Sequence, residues 1–149
     1  MRRALKQVCN NKGAAGIDGM TVEALPRFLV TEWLSIKEQL MRGTYTPQPV
    51  RRVEIPKPIG GVRLLGIPTV LDRLIQQATM HVLQASWDST FSEHSHGFRP
   101  KRGAHGAVTK AQSYIQSGHN VVVDIDLEKF FDRVNKSLKL FSLYQSQTV

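Results

Sequence analysis

Cysteine is almost absent from this 149-residue sequence, in which Cys9 stands alone. A single cysteine excludes an intramolecular disulfide and disfavours a zinc finger built on cysteine ligands. The sequence also lacks any apolar run of the roughly 18–20 residues that a membrane span requires, and no signal peptide opens it. These absences predict a soluble cytoplasmic protein without a membrane partner.

Acidic residues are scarce and unevenly placed. The sequence contains 12 Asp and Glu against 20 Lys and Arg, a formal net charge of +8, which favours a polyanionic partner. Residues 94–123 include cations but no acid, and five cations accompany the single acid Glu54 between residues 39 and 71. Four carboxylates then follow closely: Asp124, Asp126, Glu128 and Asp132. Two basic stretches before one acidic cluster indicate a functional role rather than solvated surface charge.

Hydrophobic periodicity predicts three helices. The first covers about 22–42, ends at a Gly43 cap and carries an apolar stripe. The second starts near Thr69, where Asp72 can complete a capping box. The third covers about 103–117.

Strand signals lie between and after these helices. Residues 49–67 predict a β-hairpin around the turn Pro58–Gly61, with cations on both strands. The Val-rich run Val121–Leu127 is typical of a buried strand, and a turn into a further helix is expected from Phe130 onward. The order α, ββ, α, α, β, α predicts an α+β fold with an incomplete sheet.

Asp124 and Asp126 are two residues apart at the end of the predicted strand. Alternation along a strand would place both carboxylates on one face. Oxygen ligands on a rigid strand end suit Mg²⁺, which serves phosphoryl transfer in two-metal sites. On these two residues alone, a solvated strand end is the simpler interpretation.

Four blocks of the sequence resemble group II intron-type reverse transcriptases, in the order and spacing of that family. They are GAAGIDG (13–19), IPKPIGGVRLLGIP (55–68), HGFRPKRGAH (96–105) and DLEKFFD (126–132). The first block favours the group II kind over retron or diversity-generating enzymes, which remain alternatives with the same chemistry. The resemblance implies a bacterial RNA-directed DNA polymerase that extends a DNA or RNA primer on an RNA template, such as group II intron RNA, from dNTPs.

The resemblance also implies a domain organisation. Residues 1–85, with the hairpin 49–67, would form the fingers of a right-hand polymerase fold. Residues 86–149 would begin the palm, an antiparallel sheet with packed helices. The chain is therefore expected to stop within or just after the first catalytic motif of the palm.

Site residues follow from the same matches. Asp126 corresponds to the catalytic aspartate that binds both Mg²⁺ ions, and Leu127 to the residue whose backbone carbonyl helps to hold one of them. Phe131 corresponds to the bulky gate against the 2′-hydroxyl of the incoming nucleotide. The resemblance assigns no role to Asp124, for which a surface or hydrogen-bonding role is expected.

The basic blocks supply the expected binding residues. Lys57 and Arg63 match the fingers cations that grip the nucleotide triphosphate, and charge-assisted contacts suit that task. Phe98 and Arg99 lie in a block near the nucleotide and the template. Asp18, between two glycines, is expected to be a turn residue.

The sequence departs from the family at several places. Gly103 and Gly106 replace polar residues of the helical block, the pattern fades after Asn135, and the paired-aspartate motif Tyr-Ala-Asp-Asp is absent. The absence of the paired-aspartate motif predicts a chain that is inactive on its own. The alternatives are a non-catalytic basic RNA-binding module, a decayed remnant, and a basic α+β domain of unrelated function.

Overall fold

The computed structural model describes residues 1–58 and 60–127. The chain forms two compact units, Met1–Ser95 and His96–Val149. The elements are α1 (Arg2–Asn10), α2 (Leu25–Met41), β1 (Arg51–Pro56), β2 (Val62–Ile67), α3 (Val70–Trp87), a short 3₁₀ turn (Asp88–Thr90) and α4 (Ala104–Gln116). The α+β fold class is thus confirmed, whereas the helix expected after Phe130 lies outside the described residues.

The core of the first unit is built on α1, the start of α2 and the first turns of α3. Its buried side chains are Ala4, Val8, Val22, Leu25, Val70 and Leu74. Helix α1 was not predicted from the sequence. It has only nine residues, and a helix of that length is marginally stable on its own. Its apolar positions Ala4 and Val8 are buried while its cations remain exposed, so tertiary packing stabilises it.

Helix α2 agrees with its prediction. Leu25 and Ile36 of the apolar stripe are buried, and the other stripe residues are half-buried. Pro26 lies in the first turn, where no helical N–H is required of it. Gly43 follows the helix with φ of +67°, the left-handed conformation that glycine adopts without strain.

Residues 13–19 form a loop against the first turn of α3. The Asp18 carboxylate accepts a hydrogen bond from the Met20 N–H at 3.2 Å, which confirms the expected turn role. The Arg73 guanidinium donates to the Ala14 carbonyl at 2.6 Å. Gly16 lies so close to Thr69 that a Cβ on Gly16 would be 2.6 Å from the Thr69 Cα. This block of the sequence therefore positions the start of α3.

Helix α4 belongs to the second unit. It begins at the extended residue Gly103, which provides no side-chain cap, and it ends before Gly118, where φ is +94°. Gly106 lies beside the His96 ring, whose Nδ1 would be 3.3 Å from a Cβ at position 106. The bounds of this helix agree with the prediction, and none of its residues is buried within the described part of the chain.

The strand predicted at Val121–Leu127 is wrong for the described residues: this segment has no regular secondary structure. Its side chains are exposed, Val121 by 86% and Ile125 by 83%. A strand needs a neighbour with which to form a hydrogen-bond ladder, and in residues 1–58 and 60–127 the sheet has only two strands, β1 and β2. Apolar residues on both faces are typical of a strand inside a sheet. In the described residues, Val121–Leu127 has no neighbouring strand with which to form hydrogen bonds.

Within the described part of the chain, no helix combines the length and the apolar character needed to cross a bilayer.

Candidate functional site

Lys57 and Arg63 lie on the same face of the hairpin. Strands β1 and β2 are antiparallel, and Ile55 stands opposite Arg63, so both side chains of this pair are on one face. The Lys57 N–H donates to the Gly61 carbonyl at 3.0 Å, which continues the pairing by one step. Lys57 follows Ile55 by two residues and therefore shares its face. Diagonal neighbours of this kind lie about 7–8 Å apart, close enough to contact one anionic group.

The opposite face of the hairpin carries a different set of charges. Arg52 and Glu54 alternate with Ile55 and lie on that face. Lys57, Arg63 and Arg52 are all exposed. The tip bends through Gly60 and Gly61, whose φ values are +91° and +84°, as the predicted glycine turn requires. The hairpin thus presents an exposed pair of cations on one face near its tip.

A buried carboxylate lies at the base of the hairpin. Asp72 is only 3% exposed. Its Oδ1 accepts a hydrogen bond from the Tyr45 hydroxyl at 2.7 Å. Its Oδ2 accepts one from the Gln48 N–H at 3.2 Å and one from the Thr69 hydroxyl at 2.6 Å. The Asp72 N–H in turn donates to the Thr69 Oγ1 at 3.1 Å, so the predicted cap of α3 is present.

The environment of Tyr45 favours its protonated form. Burial, followed by the hydrogen bond to Asp72 and the negative charge of that carboxylate, raises the pKa of Tyr45 well above its ordinary value of 10.0. The phenol therefore remains a hydrogen-bond donor to Asp72 at neutral pH.

This shift predicts a loss of stability in alkaline solution. Because the pKa of Tyr45 is raised in the folded state, its contribution to the free energy of unfolding is complete below about pH 10. Above that pH the contribution falls, since the phenol ionises in the unfolded chain before it ionises in the folded one. Urea unfolding measured from neutral to alkaline pH tests this expected loss of stability. Tyr45→Phe is expected to lower the free energy of unfolding at neutral pH by about 1–2 kcal/mol and to flatten the alkaline decline. An equally steep decline in both proteins would contradict this role of Tyr45.

The loop before α4 exposes an aromatic side chain among cations. Phe98 is 99% exposed and has φ of +56°, a conformation that bulky residues rarely adopt. Arg99 beside it is half-buried, and Lys101 also has a positive φ, +59°. An exposed ring flanked by cations is the combination that stacks on bases and contacts phosphates.

Asp126 and Leu127 end the described part of the second unit. Both are exposed, and the Asp126 Oδ1 accepts a hydrogen bond from the Leu127 N–H at 2.9 Å. Within residues 1–58 and 60–127, no group of three His, Cys, Asp or Glu side chains could hold a metal ion. Asp126 and Leu127 do provide oxygen donors of the kind that a hard cation prefers. The expected gate residue, Phe131, lies outside the described residues.

The predicted site residues thus fall into two groups, one in each unit. Lys57 and Arg63 belong to the first unit, and Phe98, Arg99, Asp126 and Leu127 belong to the second. Sequence reasoning found Thr69 and Asp72 as a cap but missed Tyr45 and Gln48 as further partners of Asp72. Their separation from Asp72 by 27 and 24 residues leaves no local signal.

Comparison with known proteins gives a family match over residues 55–148, to "Reverse transcriptase (RNA-dependent DNA polymerase)". The chain is 34% identical over 144 residues to protein YkfC of Escherichia coli K12. It is 33% identical over 154 aligned positions to the group II intron-encoded protein LtrA of Lactococcus lactis. It is also 31% identical over 120 residues to a putative COX1/OXI3 intron 1 protein of Saccharomyces cerevisiae.

The alignments cover most of this chain but a smaller part of each relative. They include 93%, 98% and 80% of the chain, in the same order, against 38%, 25% and 14% of the relatives. The chain therefore spans about two fifths or less of the length of these proteins. The family match begins within β1 and includes the hairpin tip, α3, α4 and Asp126.

Proposed function

Because this chain belongs to the reverse transcriptase family of RNA-dependent DNA polymerases, we propose that it supplies the nucleotide-binding hairpin and a catalytic carboxylate for RNA-templated DNA synthesis. The reaction extends a DNA or RNA primer with dNTPs. The expected kinship to group II intron enzymes is confirmed by relatives named as intron proteins, and group II intron RNA is the proposed template.

The observation that carries this proposal is the shared face of Lys57 and Arg63. Two exposed cations, side by side near a glycine tip, can contact the same polyphosphate. Charge-assisted hydrogen bonds to phosphate oxygens are stronger than neutral ones, and they stabilise the negative charge that develops on the leaving pyrophosphate. In this role, Lys57 and Arg63 bind and orient the triphosphate of the incoming nucleotide.

In the second unit, Asp126 and Leu127 are proposed to bind the catalytic magnesium. The Asp126 carboxylate and the Leu127 carbonyl would hold Mg²⁺, since both are exposed oxygen donors. Bound magnesium would supply activation of the primer 3′-hydroxyl and neutralisation of the phosphates. Phe131 would exclude nucleotides with a 2′-hydroxyl. Because one carboxylate is a weak clamp for two ions, the 149-residue chain alone is expected to be inactive.

Phe98 and Arg99 are proposed to contact the template or the templating base. The positive φ of Phe98 costs about 1 kcal/mol or more, and such strain clusters at binding sites.

A second candidate function follows from the basic stretch that contains this loop. Residues 94–123 include cations without an acid, which favours a non-catalytic RNA-binding module.

Nucleotide binding tests the proposal directly. Lys57→Ala and Arg63→Ala are each expected to weaken binding of dATP, in the presence of Mg²⁺, by about tenfold, because each loses a charged hydrogen bond. Equilibrium dialysis of the 149-residue chain measures this. Arg52→Ala is the matched control: it removes an equal charge from the opposite face of the same hairpin, and it should leave dATP binding unchanged.

Equal weakening by Arg52→Ala and Arg63→Ala would contradict a specific triphosphate site. The RNA-binding alternative predicts a different outcome. It expects no dATP binding, together with single-stranded RNA binding whose log–log salt slope falls by about 0.7 for each lost phosphate contact. An affinity for RNA that does not change with salt would contradict both functions.

A further inference from the structure

The two ends of the hairpin meet at a single carboxylate. Gln48 lies three residues before β1, and Thr69 lies two residues after β2. The Asp72 Oδ2 accepts hydrogen bonds from both of them, at 3.2 Å from the Gln48 nitrogen and 2.6 Å from the Thr69 hydroxyl oxygen. The Asp72 Oδ1 accepts a third, at 2.7 Å from the Tyr45 hydroxyl oxygen. We name this set, Asp72 with Tyr45, Gln48 and Thr69, the base clamp.

The base clamp is anchored in the core of the first unit. Asp72 lies in the first turn of α3, between Val70 and Leu74, which are both 0% exposed. Its three partners are two hydroxyls and a backbone N–H, all neutral donors. Hydrogen bonds to an ionised carboxylate are short and strong, and Asp72 can accept all three because it has two oxygens. The hairpin is therefore attached to a rigid helix through this carboxylate, in addition to the two-residue connection between β2 and α3.

Within the described residues, side-chain packing does little to fix the direction of the hairpin. In β1 only Val53 is even half-buried, and in β2 only Ile67 is. A two-stranded hairpin without a buried face is marginally stable and does not orient itself by packing. The hydrogen bonds at its base, together with the short connection to α3, therefore supply the orientation.

Small changes at the base become larger at the tip. With a rise of about 3.3 Å per residue, Lys57 lies about 20 Å along the strand from Arg51, so a rotation of about 10° at the base moves Lys57 by about 3 Å. A displacement of that size breaks a hydrogen bond to a phosphate. Arg63, on the same face, moves with it.

We infer that Asp72 is a positioning residue, which holds the hairpin so that Lys57 and Arg63 can contact one triphosphate. This inference rests on the proposed function of those two cations. Asp72 itself, 3% exposed, acts through its hydrogen bonds to Gln48, Thr69 and Tyr45 and does not contact the nucleotide.

A distance measurement tests the base clamp independently of any ligand. Nitroxide labels are placed on Glu54→Cys in β1 and on Gln76→Cys in α3, in the full chain carrying Cys9→Ser. The unmodified clamp should give one narrow distance distribution. Asp72→Asn should broaden it, because an amide loses the charge and one acceptor. Tyr45→Phe should broaden it less, and Tyr114→Phe, in the other unit, should leave it unchanged.

The same proteins are then tested for binding of dATP with Mg²⁺. Broadening in Asp72→Asn, together with weakening of dATP binding by about fivefold or more, supports the inference. A narrow distribution in Asp72→Asn overturns it. If Asp72→Asn does not fold, Tyr45→Phe decides, since it removes one donor and keeps the ring: an unchanged distribution there overturns the inference.

Two further outcomes separate this inference from the proposed function. Suppose that Asp72→Asn broadens the distance distribution but leaves dATP binding unchanged, while Lys57→Ala weakens that binding. This result overturns the positioning role of Asp72. Unchanged dATP binding in Lys57→Ala and Arg63→Ala overturns the proposed function of the cations, whereas the distance distribution still reports the clamp. Asp72→Glu, which keeps the charge, should restore part of both the narrow distribution and the binding.

Discussion

Changing Asp126 to alanine is expected to abolish primer extension in an enzyme that contains a complete palm. The test protein is a chimera in which this chain replaces the matching part of a longer, active reverse transcriptase. If Asp126 binds magnesium at the reacting phosphate, its loss removes several kcal/mol of transition-state stabilisation, which corresponds to about a thousandfold or more in rate. Extension of a primer on an RNA template with dNTPs measures it, and the 149-residue chain alone is expected to show none.

Asp124→Ala is the matched control for this experiment. Asp124 is an exposed carboxylate two residues from Asp126, and its removal changes the net charge equally. The chimera with Asp124→Ala should remain active. Full activity in the Asp126→Ala chimera would refute the assignment, as would polymerisation by the isolated chain. Circular dichroism and RNA binding of the inactive variant separate a catalytic defect from misfolding.

Gly16→Ala is expected to cause a large loss of stability in the first unit. A Cβ at position 16 would lie 2.6 Å from the Thr69 Cα and 2.8 Å from the Thr69 nitrogen. Both are backbone atoms at the start of α3, so neither can move without disturbing the helix cap. Overpacking of this kind costs about 3 kcal/mol, which urea unfolding followed by circular dichroism would show.

Gly13→Ala provides the comparison within the same loop. Its Cβ would meet the guanidinium of Arg73, which is the far end of a flexible side chain and can shift, with some weakening of its hydrogen bond to the Ala14 carbonyl. The expected loss is about 1 kcal/mol or less. If Gly13→Ala proved as destabilising as Gly16→Ala, or if Gly16→Ala were neutral, the close approach of the loop to Thr69 would not be the reason for glycine at position 16.

Local chemistry accounts for the features that could be predicted. The Thr69 cap, the left-handed Gly43 and the Gly60–Gly61 tip each depend on a few neighbouring residues. The hairpin register follows from the same source, because the tip sets which residues pair. The sequence was therefore sufficient to predict that Lys57 and Arg63 lie on one face of the hairpin. Their functional roles stay a prediction, as do those of Phe98, Arg99, Asp126, Leu127 and Phe131 and the division into fingers and palm.

Features that depend on distant partners could not be predicted in the same way. Helix α1 is too short to be stable on its own, and its packing against α3 stabilises it. The apolar run Val121–Leu127 has the composition of a strand, but a strand requires a neighbour that the described residues do not provide. The composition of this segment therefore indicated its preference for a strand, but it did not determine the structure that the segment adopts.

The sequence by itself determined the family, the α+β class, most helix bounds and the two cations on one hairpin face, since each follows from periodicity, turn residues or short motifs. Only the tertiary structure decided what holds the hairpin in place. Asp72 reads as a helix cap in the sequence, but folding brings Tyr45 and Gln48 to its two oxygens. A buried carboxylate must have its acceptors satisfied, and which donors satisfy them depends on the path of the whole chain.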